Sequence, residues 1–269
     1  MALFDVHAHL TDPRLAADED AILARAAAAG VGTIISNGLN PDDNAAVAAL
    51  AARRPMVKPA FGLYPVDAVL PELLASGGSY PRDAEGPPPD FATCYADLEA
   101  RIGSAFAMGE VGLDHHWVPE ALWELQEQRF RALIRLARAA DKPLIVHTRK
   151  AEARALEVLL DEGATRVVWH CFSAKVKLGL RIAQAGHWLS IPAHANKAEN
   201  FRQLLAQLPR EKVLLETDCP YLSPDRSALN EPANVQQTAA LASSLWGVSP
   251  QAVDQQLSAN FEALFGSLP

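Results

Sequence analysis

Residues 168–175 read VWHCFSAK. The stretch begins as a buried β-strand does, on β-branched and aromatic residues, and then stops on a histidine, a cysteine and polar side chains. An apolar strand that finishes on an imidazole is informative if the strand belongs to a (β/α)8 barrel, because such barrels build their active sites at the C-terminal ends of the strands. The flanking sequence therefore decides the reading.

Outward from His170 the same unit recurs. Strand patterns lie at 3–7, 32–36, 57–62, 105–110, 144–147, 166–171, 187–191 and 212–216. Amphipathic Ala/Leu-rich patterns lie at 18–30, 41–54, 91–103, 119–141, 150–162, 174–186, 196–208, 232–246 and 249–265. The span 119–141 is the clearest helix, with Leu122, Leu125, Phe130, Leu133, Ile134 and Ala137 at helical spacing. Eight strands, each followed by a helix, predict an α/β (β/α)8 TIM barrel of the metal-dependent hydrolase type. A doubly wound open sheet is the alternative. A single domain over 1–269 is expected. The segment 71–90, PELLASGGSYPRDAEGPPPD, reads as an irregular surface insertion after the third strand, because alternation resumes directly beyond it.

Composition narrows the class. A net charge of −8 argues against a broad basic surface for nucleic acid, leaving room for a local patch or a bound metal. Cys94, Cys171 and Cys219 include no C-x-x-C, which argues against a disulfide framework or a zinc knuckle. No run of eighteen apolar residues occurs, and no basic stretch precedes an apolar one at the start. No membrane partner is expected, and a cytoplasmic location is.

The strand ends carry the chemistry. The first offers His7 and His9, the fourth Glu110, the fifth His147, the sixth His170, and the eighth Asp218 just after Glu216. His7 and His9 stand two apart, so on a strand they share a side. Any one of these alone would most often be a hydrogen-bonded structural residue; their joint placement is what points to a site. Six N/O donors without cysteine exceed what one four-coordinate ion requires, and suit two ions sharing a carboxylate.

The motifs DVHAHLTDPR, GEVGLD, KPLIVHTRKA, WHCFSAK and LLETDCPYLSP followed by NEPANV, in this order, resemble the TatD family of metal-dependent hydrolases and deoxyribonucleases, within the amidohydrolase-like barrels. The resemblance spans essentially the whole chain. It implies that His7, His9, Glu110 and Asp218 hold one divalent metal, and that Glu110 bridges to a second held by His147 and His170. It implies catalytic roles for Glu110 and Asp218, the latter handling the proton of the attacking water. The reaction expected is cleavage of a DNA phosphodiester by metal-activated water. Hydrolysis of a small phosphoester, lactone or amide is the alternative, and a non-catalytic binding barrel a distant third. The cofactors expected are two ions among Zn, Mn, Mg, Ni and Fe, and histidines favour transition metals over Mg. No obligate protein partner is inferred. Arg149, Arg226 and His115 are candidate substrate contacts, with His115 and His116 also candidate acids for the leaving group.

The chain departs from the family's pattern after the last strand. Where an Arg-Gly-Lys stretch is often found, SPDRSALNEP offers only Arg226, beside Asp225. Ala174 stands where Gly is common, and GLDHH carries His where Tyr is frequent. Cys171, paired with His147, could be drawn as a nucleophile, but a thiol one residue past a strand-end ligand is expected in the core.

Overall fold

The computed structural model describes residues 3–81, 87–225 and 228–267. Its strands are β1 (Leu3–Ala8), β2 (Val31–Asn37), β3 (Val57–Phe61), β4 (Ala107–Asp114), β5 (Leu144–Arg149), β6 (Val167–Trp169), β7 (Trp188–Pro192) and β8 (Val213–Glu216). The helices between them are α1 (Glu19–Ala28), α2 (Pro41–Arg53), α3 (Leu70–Ala75), α4 (Phe91–Arg101), α5 (Trp123–Ala139), α6 (Glu152–Asp161), α7 (Val176–Gln184) and α8 (Glu199–Gln207), with α9 (Val235–Trp246) and α10 (Pro250–Phe265) after the last strand. The eight strands run parallel in sequence order, β1 to β8. Just past β8, Asp218 N donates to the His7 carbonyl (2.9 Å) and His9 N to that of Cys219 (2.8 Å), joining the last strand to the first. The open-sheet alternative is thereby excluded.

Local chemistry sets the boundaries. Asn40 caps α2 by accepting from Asp43 N (3.1 Å), with Pro41 in the first turn. Asp90 caps α4 in the same way through Thr93 N (2.8 Å). Two elements depart from the sequence reading. β4 continues four residues beyond Glu110, and the segment after β3 opens with the short helix α3, whose Leu70 and Leu73 are buried against Val66, Val69 and Val118. Those leucines supply the apolar face that the Pro/Gly-rich remainder of the segment lacks. Among the described residues no helix is long and apolar enough to cross a membrane.

One buried apolar residue from every strand, Val6, Ile35, Ala60, Ala107, Ile145, Val168, Trp188 and Leu214, joins a single cluster with Phe261, Leu264 and Phe265 of α10. This is the inner layer of a filled barrel, stoppered by α10. Phe261 stacks on Phe4 (4.2 Å between centroids) and lies 4.9 Å from Phe265. Phe261→Ala is expected to cost about 3–5 kcal/mol by leaving a cavity under the barrel, read from the denaturant midpoint; an unchanged midpoint would show that the ring closes nothing.

Candidate metal centre

From the inner layer, a step of two residues along a strand keeps the same face. Such a step leads from Ile145 to His147, from Val168 to His170 and from Leu214 to Glu216. On β1 and β4 the step is different: Val6 to His7 and Ala107 to Glu110. These are the two strands with irregular register, between Asp5 and Ala8 and between Met108 and Val111. A bulge shifts the alternation and re-aims a side chain inward. Gly62 makes room for the one on β4: a Cβ there would sit 2.2 Å from Glu110 N.

The six predicted residues converge. His7 Nε2 and His9 Nε2 are 3.1 Å apart. Glu110 Oε2 lies 3.5 and 3.4 Å from them, and Asp218 Oδ1 3.6 and 3.5 Å. The other oxygen of Glu110, Oε1, faces a second pair, His147 Nδ1 at 2.7 Å and His170 Nε2 at 3.2 Å, themselves 3.4 Å apart. Ligands at about 2.0–2.2 Å from one tetrahedral or octahedral ion stand roughly 3–3.6 Å from each other. Both groups approximate that spacing. His7, His9, Glu110, His170 and Asp218 are buried, so their donor atoms have little water to satisfy them. The residues present therefore fit divalent metal.

Electrostatics agree with a cation site. Burial opposes ionisation of Glu110, but His170, His147 and His7 hold it well below the usual carboxylate range. Asp218 is lowered too, against burial, by His9, His170 and His7. Against the same burial, Asp218 and Glu110 push His9 up to about 9, and Glu110 and Glu216 carry His170 well above the ordinary imidazole value. His7 moves down, through burial and the neighbouring His170. Without metal, the cluster balances its carboxylates with protons on imidazoles, and metal uptake displaces such protons.

Further residues orient the donors. His9 Nδ1 sits 3.3 Å from the Asn37 carbonyl, the arrangement that leaves Nε2 free to ligate. His147 Nε2 faces Asp114 Oδ2 at 3.2 Å, leaving Nδ1 for the centre. Glu216 accepts from Cys171 N (2.7 Å) and Ser190 Oγ (2.5 Å), which makes it an anchor for the turn after β6. Asp5 accepts from Thr217 N (2.9 Å) and Oγ1 (2.5 Å), tying β1 to the end of β8; burial pushes its pKa up to about 8 despite these bonds. Asn230 donates to the Thr217 carbonyl (2.7 Å) and so braces the Asp218 loop. Asp114 could have been found in the sequence: Glu110, Gly112 and Asp114 alternate along one strand.

The remaining candidates fall elsewhere. The His115 ring stacks on Trp123 (3.9 Å, 10°) and lines a cavity of about 830 Å³ with Glu124, Glu127 and Glu152. None of the six metal-facing residues lines that cavity, where His115 stands beside these carboxylates and the cations Lys150 and Arg154. Arg149 is exposed at the end of β5 and makes no ion pair among the described residues. Arg226 lies outside the described residues. Cys171 takes the left-handed position in the turn after β6 (φ 44°), and Ala174 is not among the positive-φ residues, so the turn is one alanine tolerates. Burial and the nearby carboxylates push its thiol well above the ordinary value, the reverse of an activated nucleophile.

A family model described as TatD related DNase matches residues 4–266. The chain belongs to this family. Human Deoxyribonuclease TATDN3 is 29% identical over 272 residues, covering 100% of this chain and 96% of its own length. The Escherichia coli K12 metal-dependent hydrolase YcfH, described as uncharacterized, is 31% identical, covering 98% and 96%. Among solved structures, the TatD homologue YJJV from Escherichia coli superposes with a TM-score of 0.83 at 27% identity, covering 99% of this chain and 98% of that one. The TatD-type barrel expected from the motifs is thus the fold observed.

Proposed function

We propose that this TatD-family chain is a divalent-metal-dependent hydrolase that cleaves phosphodiester bonds in DNA. The observation that carries the reading is Glu110, whose two carboxylate oxygens each face their own pair of imidazoles. His7, His9, Asp218 and Glu110 would hold one ion, and Glu110, His147 and His170 a second. Bound there, the ions would lower the pKa of water and neutralise charge gathering on the phosphoryl oxygens.

The chain's own residues do the rest. Asp218, buried beside the His7 and His9 donors, orients the attacking water and accepts its proton. Asp114 holds the His147 ring in the ligating orientation. Arg149, exposed and unpaired among the described residues, meets a phosphate oxygen of the substrate. The charge of −8 and the single basic residue in SPDRSALNEP favour a second reading, the same centre acting on small phosphoesters.

The test is hydrolysis of single-stranded DNA by metal-stripped protein after adding back Mg, Mn or Zn, with metal content measured in parallel. Cleavage restored by metal is expected. Metal bound without cleavage of DNA would overturn the DNA reading and favour the small phosphoesters.

A further inference from the structure

With a net charge of −8 and one basic residue in the segment 223–232, this chain cannot hold a nucleic-acid strand by a broad basic face. The mouth of the barrel offers something else. An aromatic series leads outward from the metal centre. His147 meets Tyr64 edge-on (5.0 Å, 64°), Tyr64 lies near-parallel to Tyr80 (6.2 Å, 25°), and Tyr80 meets Trp117 edge-on (5.4 Å, 81°). His116 flanks Trp117 as well (5.2 Å, 71°).

Trp117 is 37% exposed, unlike Trp169, which is fully buried in the core. Trp123, only six residues on, has its indole N–H satisfied by the Val118 carbonyl (2.8 Å) and one face covered by His115. The indole N–H of Trp117 has no partner among the described residues. Its backbone, by contrast, is held firmly. Asp114 Oδ1 accepts from the N–H groups of His116 (2.8 Å) and Trp117 (2.9 Å), while Oδ2 of the same carboxylate faces His147. One side chain thus fixes the Trp117 loop to a metal-facing imidazole. Beside it, His115 N donates to the Arg149 carbonyl (2.8 Å), bringing the end of β5 against this loop. Arg149 and Lys150 follow there, both exposed and without an ion pair among the described residues.

We propose that Trp117 is a base-stacking platform for an unpaired nucleic-acid strand whose scissile phosphate sits at the metal centre, with Arg149 and Lys150 on the adjoining phosphates. The proposal rests on the phosphodiesterase reading above and deepens it. Single-strand sites combine aromatic faces with a cationic track, and stacking tolerates any base because each has a π-face. Bases inside a duplex are already stacked on one another and are not free to do this, so Trp117 selects unpaired strands.

The experiment compares metal-loaded wild type, Trp117→Ala and Trp117→Phe on a single-stranded oligonucleotide and on methyl 4-nitrophenyl phosphate, a diester without a base. In Trp117→Ala the ratio of kcat/KM for oligonucleotide over small diester is expected to fall about 5- to 150-fold, the worth of about 1–3 kcal/mol of base stacking. The loss should sit in KM, and Trp117→Phe should recover much of it. An unchanged ratio, in a protein whose wild type cleaves the oligonucleotide, overturns the platform alone. Wild type that turns over only the small diester, or neither substrate, removes the DNA reading and the platform with it.

Discussion

Glu110→Gln is expected to lower the metal bound per chain and to reduce kcat/KM by about a thousandfold or more, since the charge stabilisation a two-ion centre supplies is several kcal/mol and each 1.4 kcal/mol is tenfold. The substitution conserves size and leaves one oxygen. What it removes is the second donor, and it does so at a residue that faces both imidazole pairs: Oε2 toward His7 and His9, Oε1 toward His147 and His170. An amide can present oxygen to only one pair, so its NH2 must point at the other, where it repels a cation. The full negative charge that balances four imidazoles disappears as well. Elemental analysis of protein dialysed against the added metal, beside kinetics on the oligonucleotide, reads both effects. Retention of wild-type metal content with wild-type activity would show that Glu110 bridges nothing.

The strand-end residues were legible because an apolar run gives its period away, and a histidine at its end interrupts that run. The barrel order followed from the same alternation. What could not be read is where alternation itself breaks. Taken at face value, the strict period of two would put Val6 and His7 on opposite sides of β1, and Ala107 and Glu110 on opposite sides of β4. Both pairs serve one interior because each strand changes register between them. Composition says nothing about such a shift, which depends on how neighbouring strands pair and on the space left at Gly62. The continuation of β4 to Asp114 went unread for a related reason: Gly112, with Asp-His-His just beyond Leu113, looks like a turn. Gly112 to Asp114 are held as strand by pairing with β5, from Gly112 opposite His147 to Asp114 opposite Arg149, and the turn begins only at His115. Sequence places His115 in the loop after β4 but does not show its aromatic partner, Trp123, on which the ring stacks.

Asp218→Asn separates two jobs that the ligand geometry alone merges. The carboxylate's Oδ1 stands 3.6 Å from His7 Nε2 and 3.5 Å from His9 Nε2, as a ligand would, yet three other donors around the same point, those of His7, His9 and Glu110, survive its loss. Asparagine still offers a carbonyl oxygen in that place. It cannot take a proton. If Asp218 is the base, kcat on the oligonucleotide falls about 10²- to 10⁴-fold, the usual worth of a positioned general base, while metal content stays near that of wild type. The direction of its pKa sharpens the test. Burial raises it, but His9, His170 and His7 outweigh burial and hold it below the usual carboxylate range. An ion bound beside it would push in the same direction as those charged imidazoles, so the base form persists toward acid in wild type, and the variant has no acid limb of its own to lose. Loss of metal in parallel with loss of activity would assign Asp218 to coordination only, and the proton would then have to leave through another group at the mouth of the barrel.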